Sequence, residues 1–313
     1  MSHVVLIKEL NEIYEMKVYY RSYLSDKLPP GSVFAAKTPS CSITAYKSGK
    51  VLFQGSSSES EAGKWGNTKQ TAQPAKKKAS VTTDLPENIG SLSVVGSDEV
   101  GTGDYFGPIT VVAAYVKKEQ IPLLKELGVK DSKNLNDEKI ISIAKEIKSI
   151  VPHSLLTLHN EKYNKLQKSG MSQGKIKALL HNQAISHVLN KISPEQPEAI
   201  LIDQFAKKEV YYQYLKNQTN VQRQNVFFST KAEGVHLAVA AASILARYAF
   251  VRHFENLSKE AGFTLTKGAG AKVDQAAARL IHEKGKDALP VFVKLHFANT
   301  EKALQIYEKK YRH

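Results

Sequence analysis

Residues 92–116 alternate between two apolar runs, "LSVVGS" and "ITVVAAYV", and an acidic, glycine-rich break, "DEVGTGDYFGP". Short apolar runs bounded by turn residues predict buried strands, here over 92–97 and 109–116. Further runs predict strands over 153–159, 199–202 and 225–228. Helices are predicted over 137–149, 173–191 and 207–215, followed by an Ala-rich helix over 234–257 and a helical tail. Strands early, helices interleaved and a helical end predict an α/β fold whose sheet includes some antiparallel strands. The chain shows no internal repeat.

The first 68 residues have a different rhythm. A strand (4–7), an amphipathic helix (9–24) and a turn at "LPPGS" precede three short strands over 33–37, 42–47 and 50–54, the last two joined by "SG". Ile43, Ala45, Val51 and Phe53 alternate with Ser42, Thr44, Tyr46, Leu52 and Gln54. This predicts a curved antiparallel sheet with a helix behind it. The outer face would carry hydroxyls and Tyr46, with Lys37, Lys47 and Lys50 around its edges. Such groups suit phosphates and sugars; an ordinary solvated sheet face is the competing reading. Composition then breaks into "GSSSESEAGKWGNTKQTAQPAKKKA". It holds a short predicted helix over 58–68 anchored on Trp65, then a linker. The expected organisation is a small domain (1–68), a linker (69–89) and a larger domain (90–313).

The chain has 313 residues, 42% of them hydrophobic, enough for a substantial core. Its net charge of +14 favours a polyanionic partner, nucleic acid before membrane surface. The single cysteine, Cys41, excludes an intrachain disulfide and a cysteine-based zinc cluster. No apolar run reaches the length of a membrane span. The N-terminus lacks a basic region followed by an apolar core. A cytoplasmic protein with no membrane partner is expected.

Against this basic background the acids stand out. Asp98 and Glu99 end the first strand of the large domain, and the glycines at 101 and 103 offer the break that would let both carboxylates converge. Asp203 closes a second apolar strand, "EAILID", at the strand end where α/β folds place ligands. Glu233 opens the Ala-rich helix, where capping alone would also account for it. Together, four carboxylates repel one another and raise each other's pKa, which a divalent cation relieves. Oxygen ligands without Cys or paired His favour Mg2+ or Mn2+. Two such ions about 4 Å apart can activate water and stabilise the leaving oxygen in phosphodiester cleavage.

"SDEVGTGDYFGPITVVAAYV", "VKDSKNL", "LIDQF" and "KAEGVHLAVAAASILARY" together resemble the type 2 ribonucleases H, in order across most of residues 90–310. Gly101-Thr102-Gly103 and Glu233 resemble the ribonuclease HIII branch; ribonuclease HII carries Gly-Arg-Gly and an Asp fourth acid. The resemblance implies a ribonuclease H-like mixed sheet flanked by helices. It also implies a small N-terminal α+β domain similar to the TATA-box-binding protein fold, used for substrate binding. It implies endonucleolytic cleavage of the RNA strand of RNA/DNA hybrids, leaving 5′-phosphate and 3′-hydroxyl ends. Asp98, Glu99, Asp203 and Glu233 carry over as catalytic metal ligands, Asp98 and Asp203 closest to the ions. Gly101, Thr102 and Gly103 would meet the sugar-phosphate backbone, with Ser132 and Lys133 as phosphate contacts and Tyr46, Lys47 and Lys50 as contacts from the small domain. Thr102 in place of Arg implies a preference for runs of ribonucleotides. The alternatives are ribonuclease HII-like incision at single ribonucleotides and a non-catalytic hybrid or duplex binder. A monomer is expected.

Overall fold

The computed structural model describes residues 3–26, 28–29, 31–66 and 85–311. Most of the expected linker and the last two residues of the predicted helix over 58–68 lie outside the described residues. The chain divides into two compact units, Met1–Val81 and Thr82–His313.

In the first unit, β1 (His3–Ile7), α1 (Leu10–Tyr19), β2 (Ser32–Lys37), β3 (Ser42–Tyr46), β4 (Lys50–Gln54) and α2 (Ser58–Gly63) form an antiparallel sheet in the order β1-β4-β3-β2 with two helices. Glu9 and Glu12 cap the start of α1 reciprocally. The predicted helix over 9–24 is shorter than expected. It stops at Tyr19 and a single tight turn follows, because Leu24 pairs with Ala36 and pulls the chain into the sheet. Ile13 and Met16 of α1 pack on Phe34, Ile43, Ala45, Val51 and Phe53, the apolar face read from the alternation. The opposite face is less open than expected. Leu52, on a central strand between Val5 and Thr44, is 3% exposed, and Tyr46, opposite Ser32 at a bulge, is 4% exposed.

The second unit runs β5 (Val94–Val100), β6 (Ile109–Val116), α3 (Ile121–Glu126), α4 (Asp137–Ile147), β7 (His153–Leu158), α5 (Asn160–Lys168), α6 (Gln173–Ile192), β8 (Ala199–Asp203), α7 (Lys208–Tyr214), β9 (Val226–Ser229), α8 (Leu237–Ala261), α9 (Ala271–Lys284), α10 (Leu289–Phe292) and α11 (Asn299–Tyr311). Its sheet order is β7-β6-β5-β8-β9. β5, β6 and β7 are antiparallel neighbours, whereas β5, β8 and β9 run parallel, the mixed sheet expected. All eight residues of β6 are buried, because helices cover both faces. Val94, Ala199 and Leu201 face the layer containing α4 and α8. Val95, Ile200 and Ile202 face the layer of α6 and α7.

Helix α8 is long and apolar enough to cross a membrane, yet it is the central core helix against β5 and β6. It lies so close that a Cβ on Gly96 would overlap the backbone nitrogen of Val239. A third cluster, with Phe106, Phe250, Phe254, Leu280 and Phe292, joins the glycine-rich segment to the C-terminal helices.

Candidate active site

The register of the central strands assembles the acids. Ser97 pairs with Ile202 across parallel β5 and β8, so one step further Asp98 lies level with Asp203. Alternation puts both on the α8 face, with Val94, Ala199 and Leu201. Asp203 in turn pairs with Ser229 of β9. Four residues on, past a left-handed Lys231, a short turn presents Glu233. The Asp203 Oδ1 accepts the Ala232 N–H at 2.9 Å, tying that turn to the end of β8.

Glu99 departs from the expectation. β5 does not break after Asp98 but stays paired with β6 through Val100, so neighbouring side chains leave on opposite faces. Asp98 points toward α8, near Ser243, and Glu99 points toward α6. The two meet through the backbone, with the Glu99 N–H donating to Asp98 Oδ1 at 2.7 Å.

The electrostatics follow from these placements. Burial, then the charges of Glu99 and Asp203, push the Asp98 carboxyl up to about 8. Burial, with Glu233 and Glu99, also raises Asp203. Burial opposes ionisation of Glu99, but His181 and Lys177 outweigh it and hold the carboxyl at about 2. Glu233 is 5% exposed; its Oε1 accepts from Lys133 Nζ at 2.8 Å, while Oε2 is buried without a partner among the described residues.

Among the described residues, no three His, Cys, Asp or Glu side chains close around one point tightly enough to hold an ion as they stand. Lys133 and Lys177 neutralise the two glutamates instead. The donor set nevertheless suits a hard divalent cation. Asp98 is buried and Asp203 half-buried beside it, both carboxyls are raised by burial and neighbouring acids, and Glu233 offers an oxygen with no partner among the described residues.

The glycine loop between β5 and β6 is held from several sides. Gly101 has φ +95°, and a Cβ there would overlap the Pro108 carbonyl oxygen; Gly103 has no atom of the described residues within 4 Å of such a Cβ. Asp104 Oδ1 accepts the Gly268 N–H at 2.6 Å, and Tyr105 N–H donates to the Gly268 carbonyl at 2.9 Å. Lys294 is fully buried and donates to the carbonyl oxygens of Asp104, at 2.8 Å, and Gly107.

The remaining predicted residues separate into exposed and enclosed groups. The Lys133 side chain is 71% exposed, Lys47 is exposed, and Lys50 and Thr102 are half-buried. Ser132 is 5% exposed and its hydroxyl meets Ser243 Oγ at 2.8 Å, so it is a strut rather than a presented phosphate contact. Tyr46 is likewise enclosed. His236 caps α8, with Nδ1 accepting from Ala238 N–H and Nε2 facing the Leu92 carbonyl. Sequence reasoning missed Gln173, Lys177, His181 and Lys294. The first three repeat at helical spacing along α6, a polar stripe on a helix that buries Ile176, Ile185 and Val188.

The family model described as Ribonuclease HII matches residues 95–300. A second model, described as a domain of unknown function, matches residues 3–78. The chain is 60% identical over 309 residues to Ribonuclease HIII of Bacillus cereus, covering 98% of this chain and 99% of that one. It is 59% identical over 312 residues to Ribonuclease HIII of Bacillus mycoides, covering 99% and 100%. Among solved structures it resembles Bst-RNase HIII in complex with Mn2+, with TM-score 0.70, 48% identity and coverage of 99% and 100%. Aquifex aeolicus RNase H3, at TM-score 0.54, 23% identity and coverage of 93% and 98%, shares the fold.

Proposed function

This chain belongs to the type 2 ribonuclease H family, in its ribonuclease HIII branch, and from that premise we propose that it cuts the RNA strand of RNA/DNA hybrids at the cluster of Asp98, Glu99, Asp203 and Glu233. The observation that carries the assignment is Asp98 level with Asp203 on the two central parallel strands, beside a Glu233 oxygen that has no partner among the described residues.

Asp98 and Asp203 would hold a divalent ion directly, with Glu233 completing the set on the same face and Glu99, next along β5 and bonded through its N–H to Asp98 Oδ1, adding its charge at the site. Mn2+, which a similar solved structure contains, or Mg2+, would supply Lewis acidity and a water of lowered pKa, with two ions during the reaction. The chain's own residues do the rest. Asp98 and Asp203 have desolvated positions in which ionisation is costly without a cation. Lys133, exposed and adjacent to Glu233, can exchange its carboxylate partner for a phosphate as substrate arrives. The backbone of Gly101, Thr102 and Gly103 would meet the ribose and its phosphate, the contacts by which RNA is told from DNA. Gly103 meets no internal demand for glycine, which fits a residue kept small for an external approach. Hydrolysis would leave 5′-phosphate and 3′-hydroxyl ends. With Thr rather than Arg at position 102, the loop lacks a long cationic side chain to grip one isolated ribonucleotide junction, and runs of ribonucleotides are the preferred substrate. The small domain, with Lys47 and Lys50 at its sheet edge, would add affinity for the duplex.

The test is a labelled RNA/DNA hybrid with Mn2+ or Mg2+. Asp98→Asn is expected to abolish cutting while hybrid affinity stays within a few-fold, since it removes a ligand and not the basic surface. Cutting at the parent rate would sink the assignment.

A further inference from the structure

Helix α6 carries Gln173, Lys177 and His181 four residues apart, on one face. All three reach β5 or the glycine loop. Lys177 Nζ lies 2.9 Å from Glu99 Oε1, and His181 Nε2 lies 2.9 Å from Glu99 Oε2. The other His181 nitrogen, Nδ1, is 2.5 Å from Ser97 Oγ, and the ring is fully buried. Gln173 Nε2 donates to the Thr102 carbonyl at 3.2 Å and to the Tyr163 hydroxyl at 3.1 Å. Lys177 is itself braced, 4.4 Å from the centre of the Phe205 ring, with a side chain 13% exposed.

Both oxygens of Glu99 and the carbonyl of the central loop residue are therefore fixed from one helix. A carboxylate engaged at both oxygens cannot rotate, and a loop carbonyl bonded to a rigid helix cannot flip. α6 also packs along β5 and β6, so its stripe is fixed relative to the strand end. A largely enclosed lysine beside a fully buried histidine is a costly arrangement if packing were its only purpose.

We infer that the Gln173–Lys177–His181 face of α6 positions the site: Lys177 and His181 set the orientation of Glu99, and Gln173 sets the backbone of Thr102, so that the acid and the loop meeting the ribose are held at a fixed separation. The inference rests on the site assignment above. Gln173, Lys177 and His181 are positioning residues that act through Glu99 and Thr102.

The two ends of the stripe make different demands, and the test uses that split. In the full-length protein, Lys177→Met, Lys177→Arg and Gln173→Leu are compared for kcat and KM on a labelled RNA/DNA hybrid. Hybrid affinity is measured by fluorescence anisotropy without divalent ions, and thermal midpoint by calorimetry. K177M is expected to lower kcat by ~10–100-fold, with hybrid affinity within twofold, and K177R to recover most of the loss. Q173L is expected to weaken hybrid affinity and raise KM by roughly fivefold, with a smaller effect on kcat. A K177M kcat within twofold of the parent would overturn the inference. So would K177M and Q173L changing affinity and kcat by the same factor, or a K177M protein unfolded at the assay temperature, which would make the stripe a mere strut. The parent and D98N are run alongside. If D98N cuts as the parent does, or the parent does not cut, the site assignment fails first, before any α6 variant is compared.

Discussion

Asp98 shows what a single residue contributes when its surroundings work against its charge. Burial, Glu99 and Asp203 raise its carboxyl to about 8 from the ordinary 3.8. The metal-free folded protein therefore binds a proton there that the unfolded chain has released, and its stability falls as pH rises through that window. Asp98→Asn removes the conflict. Calorimetry in a chelator should find D98N more stable than the parent at pH 8, by at least ~2 °C in thermal midpoint, with the difference shrinking toward pH 4. An equal difference at both pH values would mean that the Asp98 carboxyl is not perturbed. Glu99 has the opposite sign. It is held near 2, against an ordinary value of 4.5, so its contribution is present above the ordinary value and is lost progressively as pH falls from there through the folded value. Two adjacent residues thus take opposite protonation behaviour from opposite faces of one strand.

At the scale of elements, the glycine loop separates structural from functional demands. Gly101 needs a left-handed backbone and has a carbonyl where a Cβ would go, while Gly103 has open space. Gly101→Ala should therefore destabilise the fold, by ~1–3 kcal/mol from backbone conformation alone, seen as a lower denaturation midpoint. Gly103→Ala should leave the midpoint unchanged, so any loss of hybrid cleavage would report on the substrate. A destabilised G103A would show instead that the loop is packed more tightly than its geometry implies. Lys294 supports the same loop from below. Burial lowers its amine to about 7, a cost offset by two carbonyl oxygens that would otherwise lack donors.

For the whole molecule, two units draw their cores from their own residues, and the chain carries a net charge of +14. Counterion release makes the binding of a polyanion fall with salt in proportion to the phosphates neutralised. Removing residues 1–81 should weaken hybrid binding and flatten the plot of log affinity against log salt, by about 0.9 for each phosphate that the small unit had neutralised. An unchanged KM and slope would remove the small unit from substrate binding.

The sequence by itself determined the strands, their apolar faces and the acids they carry, because alternation and turn residues are local properties that survive without the fold. It also carried the family, through motifs spread over most of the larger unit. Only the tertiary structure decided that Asp98 and Glu99 part to opposite faces, since that depends on β5 staying paired with β6 through Val100. The same holds for Glu99, whose partners Lys177 and His181 lie 78 and 82 residues away, and for Ser132 and Tyr46, which the pattern predicted as contacts and packing enclosed. Periodicity reports which side of an element is apolar. Which polar group stands opposite it is set by sheet register and helix docking, and those are fixed only when the distant elements meet.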